Sequence, residues 1–356
     1  MASIRDDAIK DIGFTELNLA DPFFSSLRNA YAGFDDWAGR KAAARERAWV
    51  SFEDDGRISS MLYLKSEDGI DETTAPSLTG KRLKIGTFKV DFNHHTSIGN
   101  RLLAIAMRQF AQGDYLYAYV TMYDTPNTRG LKRRLAQYGF TQTGRKDNEE
   151  LWTKRRPDPV ETDPYAIFPF VIGNQGVDYL LAIEPQYHVK MFGEVNLRSE
   201  YGIPVKDTVS INTIEKVYLS AGWNVPHLNL GDHLIPYRKT DRLGQGRFRS
   251  VVSGVCTISG VRNIQDFSHE GEFLDFIHGR SVFSEEELHR FWNSKRYPYL
   301  ISFLYNAPFR RYPNRAALLD QRIINEEERI VCEPIGKQAF RQIMQMGGVD
   351  EGYLVD

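Results

Sequence analysis

The stretch IGTFKVDFNHHTSIGNRLLAIAMRQFA, residues 85–111, decides the reading of the first half of the chain. Its opening belongs to LKIGTFKV (83–90), which has the composition of a strand. Residues 98–113 carry apolar side chains at helical spacing and end on Gly113. Small polar residues join the two. A helix N-terminus holds unpaired N–H groups and a partial positive charge. A turn of small residues lets a diphosphate approach that backbone. The pattern predicts an anion cradle, or a plain strand-to-helix connection.

Working outward, WVSFED and ISSMLYLK read as a hairpin around Asp54-Asp55-Gly56. Residues 22–48 read as helical, with Asp21 as cap, and residues 65–81 as a polar surface loop. After the helix come the strand YLYAYVTMY (115–123), a helix over 128–140 closing at Gly139, and the strand ELWTKR. The prolines of RRPDPVETDPY (155–165) suit an extended break. They predict a first domain over 1–156, a linker over 157–177 and a second domain over 178–356. In that second part YLLAIEP, EKVYLSAG, HLIPYRK, FRSVVSGVCTISGV and YLISFLYN are strand-like, and SEEELHRFWNS is a short helix with Ser284 as cap and Glu287 at the capping-box position. The expected class is α+β: an N-terminal mixed sheet with helices and a C-terminal β-barrel with helices.

Composition sets outer limits. The 356 residues are 42% hydrophobic and 26% charged, which excludes wholesale disorder. A net charge of −2 excludes a uniformly basic nucleic-acid binder. Two cysteines, Cys256 and Cys332, lie among apolar neighbours and predict buried thiols. The histidines are scattered without the spacing of a zinc site, so no metal is expected. The N-terminus lacks the apolar core of a signal peptide and no stretch has the length of a membrane span, so a cytoplasmic protein is expected.

The first half resembles the GNAT family of acetyl-CoA-dependent N-acetyltransferases. The resemblance rests on the strand-turn-helix of 85–111, the strand YLYAYVTMY, and LKRRLAQYGFTQTGRK with its Gly-Phe helix end and next strand. His94-His95-Thr96-Ser97-Ile98-Gly99 stands where the family has Q/R-x-x-G-x-G/A. The resemblance implies acetyl-CoA as cofactor. The amides of Ser97, Ile98, Gly99, Asn100 and Arg101 would take the diphosphate, and Thr87, Phe88 and Val90 the pantetheine arm as an added strand. Two departures stand out: His94 replaces Gln or Arg, and Ser97 replaces Gly. The family's thiolate-protonating Tyr falls by register on Leu135, and Tyr138 points elsewhere. An attacking amine must be neutral, and a developing oxyanion needs backbone donors. Candidates for proton handling are Asp91, Tyr123, His94 and His95, each of which also reads as a turn, loop or packing residue.

The second half resembles PUA-like barrels of the ASCH and EVE type. The signal spans 214–261: a lysine-containing strand, the Gly231-Asp232 turn, a tyrosine-containing strand and a valine-rich strand. The barrel itself is expected over about 178–308. Such barrels commonly bind RNA or modified bases. On the residues alone, Tyr218, Trp223 and Tyr237 could stack on a base, Lys216, Arg238 and Arg249 could meet phosphate, and Ser220 and Asn212 could read an edge. The aromatics read equally as barrel core and the bases as a solvated face.

The neutral total hides a division. Residues 129–156 hold nine Lys and Arg against three Asp and Glu, a balance of +6; residues 326–356 carry −4. Lys132, Arg133 and Arg134 would attract a polyanion such as tRNA. Two functions fit. One is an acetyl-CoA-dependent N-acetyltransferase acting on an amine of RNA, aminoacyl-tRNA, a nucleobase or a protein, with a nucleic-acid-reading barrel. The other is a non-catalytic nucleic-acid-binding protein with a degenerate GNAT domain. Oligomeric state is not legible in the sequence.

Overall fold

The computed structural model describes residues 8–91, 97–195, 197 and 209–356. In the first half the strands are β1 (Ile9–Gly13), β2 (Arg47–Phe52), β3 (Ile58–Glu67), β4 (Arg82–Val90), β5 (Tyr117–Tyr123), β6 (Thr141–Lys146) and β7 (Glu149–Arg155). The helices are α1 (Ser25–Ala30), α2 (Phe34–Ala43), α3 (Ile98–Gln112) and α4 (Arg129–Gln137). They build one sheet in the order β1-β2-β3-β4-β5-β7-β6. Every neighbouring pair is antiparallel except β4 and β5, which α3 connects as a parallel crossover. One face packs Leu62, Leu83, Ala118 and Val120 under Leu102, Met107 and Phe110 of α3 and Leu135 of α4. The other packs Val50, Met61 and Tyr63 under Phe24, Phe34 and Ala38 around α1 and α2. The helical stretch expected over 22–48 is therefore two helices, broken at Tyr31–Gly33; β1 is an addition to the expected strands, and β6 is the strand that the resemblance placed after the Gly-Phe helix end.

The second half continues with α5 (Pro164–Ile167), β8 (Val171–Ile172), β9 (Asp178–Ile183), α6 (Pro185–Met191), α7 (Val209–Asn212), β10 (Glu215–Ser220), β11 (His233–Arg238), α8 (Gly246–Arg249), β12 (Val251–Val252) and β13 (Gly254–Asn263). It closes with α9 (Glu270–Ile277), α10 (Glu285–Ser294), β14 (Tyr299–Pro308), α11 (Arg315–Asp320), β15 (Cys332–Ile335), α12 (Lys337–Gly347) and β16 (Leu354–Val355). Its sheet runs β10-β14-β13-β11-β9-β15, with β12 also on β11 and β8 paired apart with β16. The α+β class is as expected, but the strands form an open path among the described residues and do not close into a barrel. Loops cover both ends: Val217 N–H on β10 donates to the Arg280 carbonyl, and Asn224 Nδ2 donates to the Cys332 carbonyl. The capping box of α10 forms, with reciprocal Ser284 and Glu287 bonds of 2.8 and 3.2 Å. Cys256 and Cys332 are free and buried, and burial pushes the Cys332 thiol up to about 12.

The segment expected as an extended linker is packed. Asp163 caps α5 by accepting from Tyr165 N–H, and Ile167, Phe168, Phe170 and Val171 are buried. Phe170 meets Phe110 of α3 edge to face at 5.4 Å. A single apolar cluster runs from Leu102 and Phe110 through Phe168 to Ile235, Leu304, Phe340 and Ile343. Residues 309–356 thus fill the joint between halves: α12 supplies Phe340, Ile343 and Met344 to that cluster, and β15 extends the second sheet.

Candidate functional site

β4 and β5 pair only over Arg82, Leu83 and Lys84 against Tyr117, Ala118 and Tyr119. Both strands continue, to Val90 and to Tyr123, while β4 stays bonded to β3 and β5 to β7. Among the described residues 85–90 and 120–123 therefore face one another without a ladder. The cause lies in β4. Tyr63 pairs with Thr87 and Leu64 with Ile85, so Gly86 is an extra residue, a bulge that bends the strand away. A Cβ on Gly86 would sit 2.8 Å from Tyr63 Cδ1, so the bend needs glycine there. The slot exposes backbone N–H and C=O groups on both edges, a geometry fit for an extended amide-bearing chain as an added strand.

α3 begins over the end of this slot. Gly99 lies against β4: a Cβ there would meet Val90 Cγ2 at 3.4 Å and Phe88 Cε1 at 4.0 Å. Helix geometry leaves the Ile98 and Gly99 N–H groups without intrahelical acceptors. The Asn100 N–H is already held by the Ser97 carbonyl at 2.9 Å. Ser97 caps α3 at φ +57°, in the left-handed region that favours glycine. That is the position where the resembling family carries Gly. The Arg101 side chain turns away from the slot. It is buried, 3.9 Å from Glu194 of the second half. His94, His95 and Thr96 lie outside the described residues.

The opposite face of the slot is roofed by the N-terminal helices. Lys89 Nζ on β4 donates to the Phe23 carbonyl just before α1. At the far end of α1, Tyr31 packs against Tyr123, ring centres 5.4 Å apart, and its hydroxyl donates to Glu149 at 2.8 Å. Burial, with help from that carboxylate, raises the Tyr31 pKa. The sequence singled out Tyr123 but not Tyr31 or Glu149; they are 118 residues apart and carry no local motif. Asp91 follows β4 half-buried, its N–H donating to the Ser59 carbonyl at 2.8 Å.

In the second half, most residues expected to read nucleic acid are inside. Lys216 is buried and gives its ammonium to the Ser210 and Ile211 carbonyls at 2.7 and 2.9 Å; burial pushes its pKa down to about 7. Tyr218 stacks with Phe283 in the core, and Tyr237 belongs to the shared apolar cluster. Ser220 is buried with its Oγ accepting from Gly222 N–H, and Asn212 and Arg238 are buried. These six cannot stack on a base or meet phosphate from solvent in this arrangement. For the five on β10 and β11 the reason is that both faces of these strands are covered; Asn212 lies on α7.

Two expected residues do reach the surface. Trp223 is 71% exposed, and Arg249 is half-buried in a two-pronged pair with Asp241 at 2.5 and 2.6 Å. Arg249 ends the run TDRLGQGRFR (240–249), where Phe248 is 68% exposed, Leu243 is fully exposed, and Arg242 and Arg247 are exposed. The glycines of LGQGR mark a loop in the sequence, but Phe248 and Arg249 read there as the start of a strand, whereas they end α8. On α4 Lys132 is held between Asp124 and Glu150 at 2.6 Å each, whereas Arg133 and Arg134 are exposed. Lys154 and Arg156, also in the +6 block, are turned inward.

No protein-family model matches the chain, and no curated protein matches it. Solved structures resemble parts of it. The ASCH protein of Zymomonas mobilis is 10% identical over 48% of this chain and 94% of its own, with a TM-score of 0.31. A GNAT-family acetyltransferase of Staphylococcus aureus is 13% identical over 42% of this chain and 99% of its own, with a TM-score of 0.30. Human THYN1, solved in complex with 5-methylcytosine-containing DNA, is 10% identical over 48% of this chain and 98% of its own, with a TM-score of 0.29.

Proposed function

We propose that the chain is an N-acyltransferase that takes its acyl group from acetyl-CoA. The observation that carries this reading is the slot: parallel strands that part after Lys84 and Tyr119, with the start of α3 over the gap. When bound, acetyl-CoA supplies an activated acyl thioester. The edges at Thr87, Phe88 and Val90 would hold the pantetheine amides, and the Ile98 and Gly99 N–H groups the diphosphate. The edge of β5 and the roof of α1 exclude water from the parting strands. Tyr123 and Asp91, at the open ends of the two strands, are the side chains nearest to proton traffic.

Calorimetric titration of the full chain with acetyl-CoA tests this. Saturable binding at micromolar concentration is expected in the wild type. Gly99→Asp should weaken it at least tenfold, because its carboxylate opposes a diphosphate. A carboxylate in the first turn favours the helix itself, so lost binding is not lost folding. Absence of heat at high micromolar ligand in the wild type overturns the enzyme reading.

The exposed tip at 240–249 favours nucleic-acid recognition by the second half. Phe248 and Trp223 present exposed rings, and Arg242 stands exposed on the same tip as Phe248, with Arg247 exposed and paired to Glu326 at 3.2 Å. Retardation of tRNA by the full chain should fall steeply between 50 and 200 mM salt. Phe248→Ala should weaken it severalfold, by about 1 kcal/mol or more for one lost stacking contact. Binding that ignores salt, or that survives Phe248→Ala and Arg247→Ala together, sinks this part of the reading.

A further inference from the structure

We infer that the corner formed by Tyr31, Tyr123 and Glu149 seats the ammonium group of the acyl acceptor, which makes a cationic alkyl amine the substrate class. The inference rests on the acyltransferase reading for the word acceptor, but its geometry stands alone. Tyr123 is the last residue of β5, at the open end of the slot, and pairs across the sheet with Glu149. The two side chains share the face that α1 covers, where Tyr31 closes the corner. An amine reaching the slot beside β5 passes these three residues.

Charge accounting picks out Glu149. Of the carboxylates around it, Asp35 has Arg28 at 2.9 Å and Asp124 and Glu150 share Lys132 at 2.6 Å, while Asp147 stands in an exposed turn. Lys146, opposite Glu149 in the β6–β7 pair, lies 3.9 Å from Asp71 instead. Among the described residues Glu149 has a neutral partner, the Tyr31 hydroxyl, and no ion pair. Tyr31 is 37% exposed, so the corner is open to solvent. Two tyrosine rings beside a carboxylate without a cation attract an alkylammonium by charge and by cation–π contact. A neutral alcohol of the same shape gains neither.

Saturation-transfer NMR on the full chain, with n-butylammonium and n-butanol as probes, tests this directly. The ammonium should saturate at millimolar concentration and the alcohol should not. Glu149→Gln should weaken the ammonium at least tenfold while leaving acetyl-CoA binding as in the wild type. Tyr31→Phe, which keeps the ring and loses the hydroxyl bond, should change it less than threefold. Equal signals from ammonium and alcohol, or Glu149→Gln binding the ammonium as the wild type does, overturn the assignment. A silent acetyl-CoA titration beside a Glu149-dependent ammonium signal would remove the acyltransferase and leave the cation site standing.

Discussion

Lys154 shows why charge in the sequence misleads about surface. It belongs to the basic block of 129–156, yet it is buried, and its ammonium donates to the Tyr138 and Ala166 carbonyls at 2.6 and 2.5 Å. One carbonyl ends α4 and the other belongs to α5, so this side chain ties the first half to the segment after it. Burial pushes its pKa down to about 7, against the weaker pull of Asp163 and Glu161. In the unfolded chain it titrates near the ordinary 10.5. Between these values the unfolded state binds more protons, so the cost of burying Lys154 is full below pH 7 and fades as pH rises toward 10.5. Stability measured by denaturant melts should therefore rise from pH 7 to pH 10 more steeply in the wild type than in Lys154→Met. Equal slopes would show that burial does not depress the Lys154 pKa. Lys216 follows the same logic. A lysine on a strand looks alike in sequence whether its ammonium finds water or a pair of carbonyls, and for that reason the expected phosphate contact at Lys216 could not be told from an internal one.

Elements with strong periodicity were legible. The hairpin of β2 and β3, the helix α3, the strand β5 and the Gly139 end of α4 stand as the sequence suggested. β1 was not, because Ile9–Gly13 is short, and β6, polar and mostly exposed over Thr141–Lys146, was expected from the resemblance alone; pairing to β2 and β7, rather than burial, makes them strands. The candidate slot was half legible. Residues 83–90 and 115–123 read as strands, but their parting depends on which residue of β4 has no partner on β3. A single sequence does not print register. Gly86 was visible only as one glycine within a strand, a hint of a bulge or of close approach, and Tyr63 supplies the close approach from 23 residues earlier. The roof was less legible still: Tyr31 meets Glu149 across 118 residues. Buried second-half candidates failed for the complementary reason. Alternation marks two faces of a strand, and it cannot say that both are covered.

At the scale of the whole molecule, the proline-rich break at 155–165 suggested two bodies on a tether, whereas the described residues share a core. Arg108 of α3 donates to the carbonyls of Tyr305 and Asn306 on β14 at 2.7 and 2.9 Å and pairs with Glu194. Arg156 reaches back to the Gly352 carbonyl at 2.8 Å and the Gly113 carbonyl at 2.7 Å. Asn306 Nδ2 donates to the Phe170 carbonyl at 2.9 Å, inside the former linker. Parting the halves would break these bonds and expose Phe110, Phe168 and Phe340 together. The halves should therefore melt as one unit. Scanning calorimetry should show a single transition whose calorimetric and van't Hoff enthalpies agree, near ~250 kcal/mol for a chain of this length at about 60 °C. Arg108→Met should lower the midpoint and broaden or divide the peak, because it removes the main polar tie across the joint and leaves Glu194 without its nearest cation. Two transitions of about half that enthalpy in the wild type would refute the shared core and restore the tethered pair that the prolines suggested.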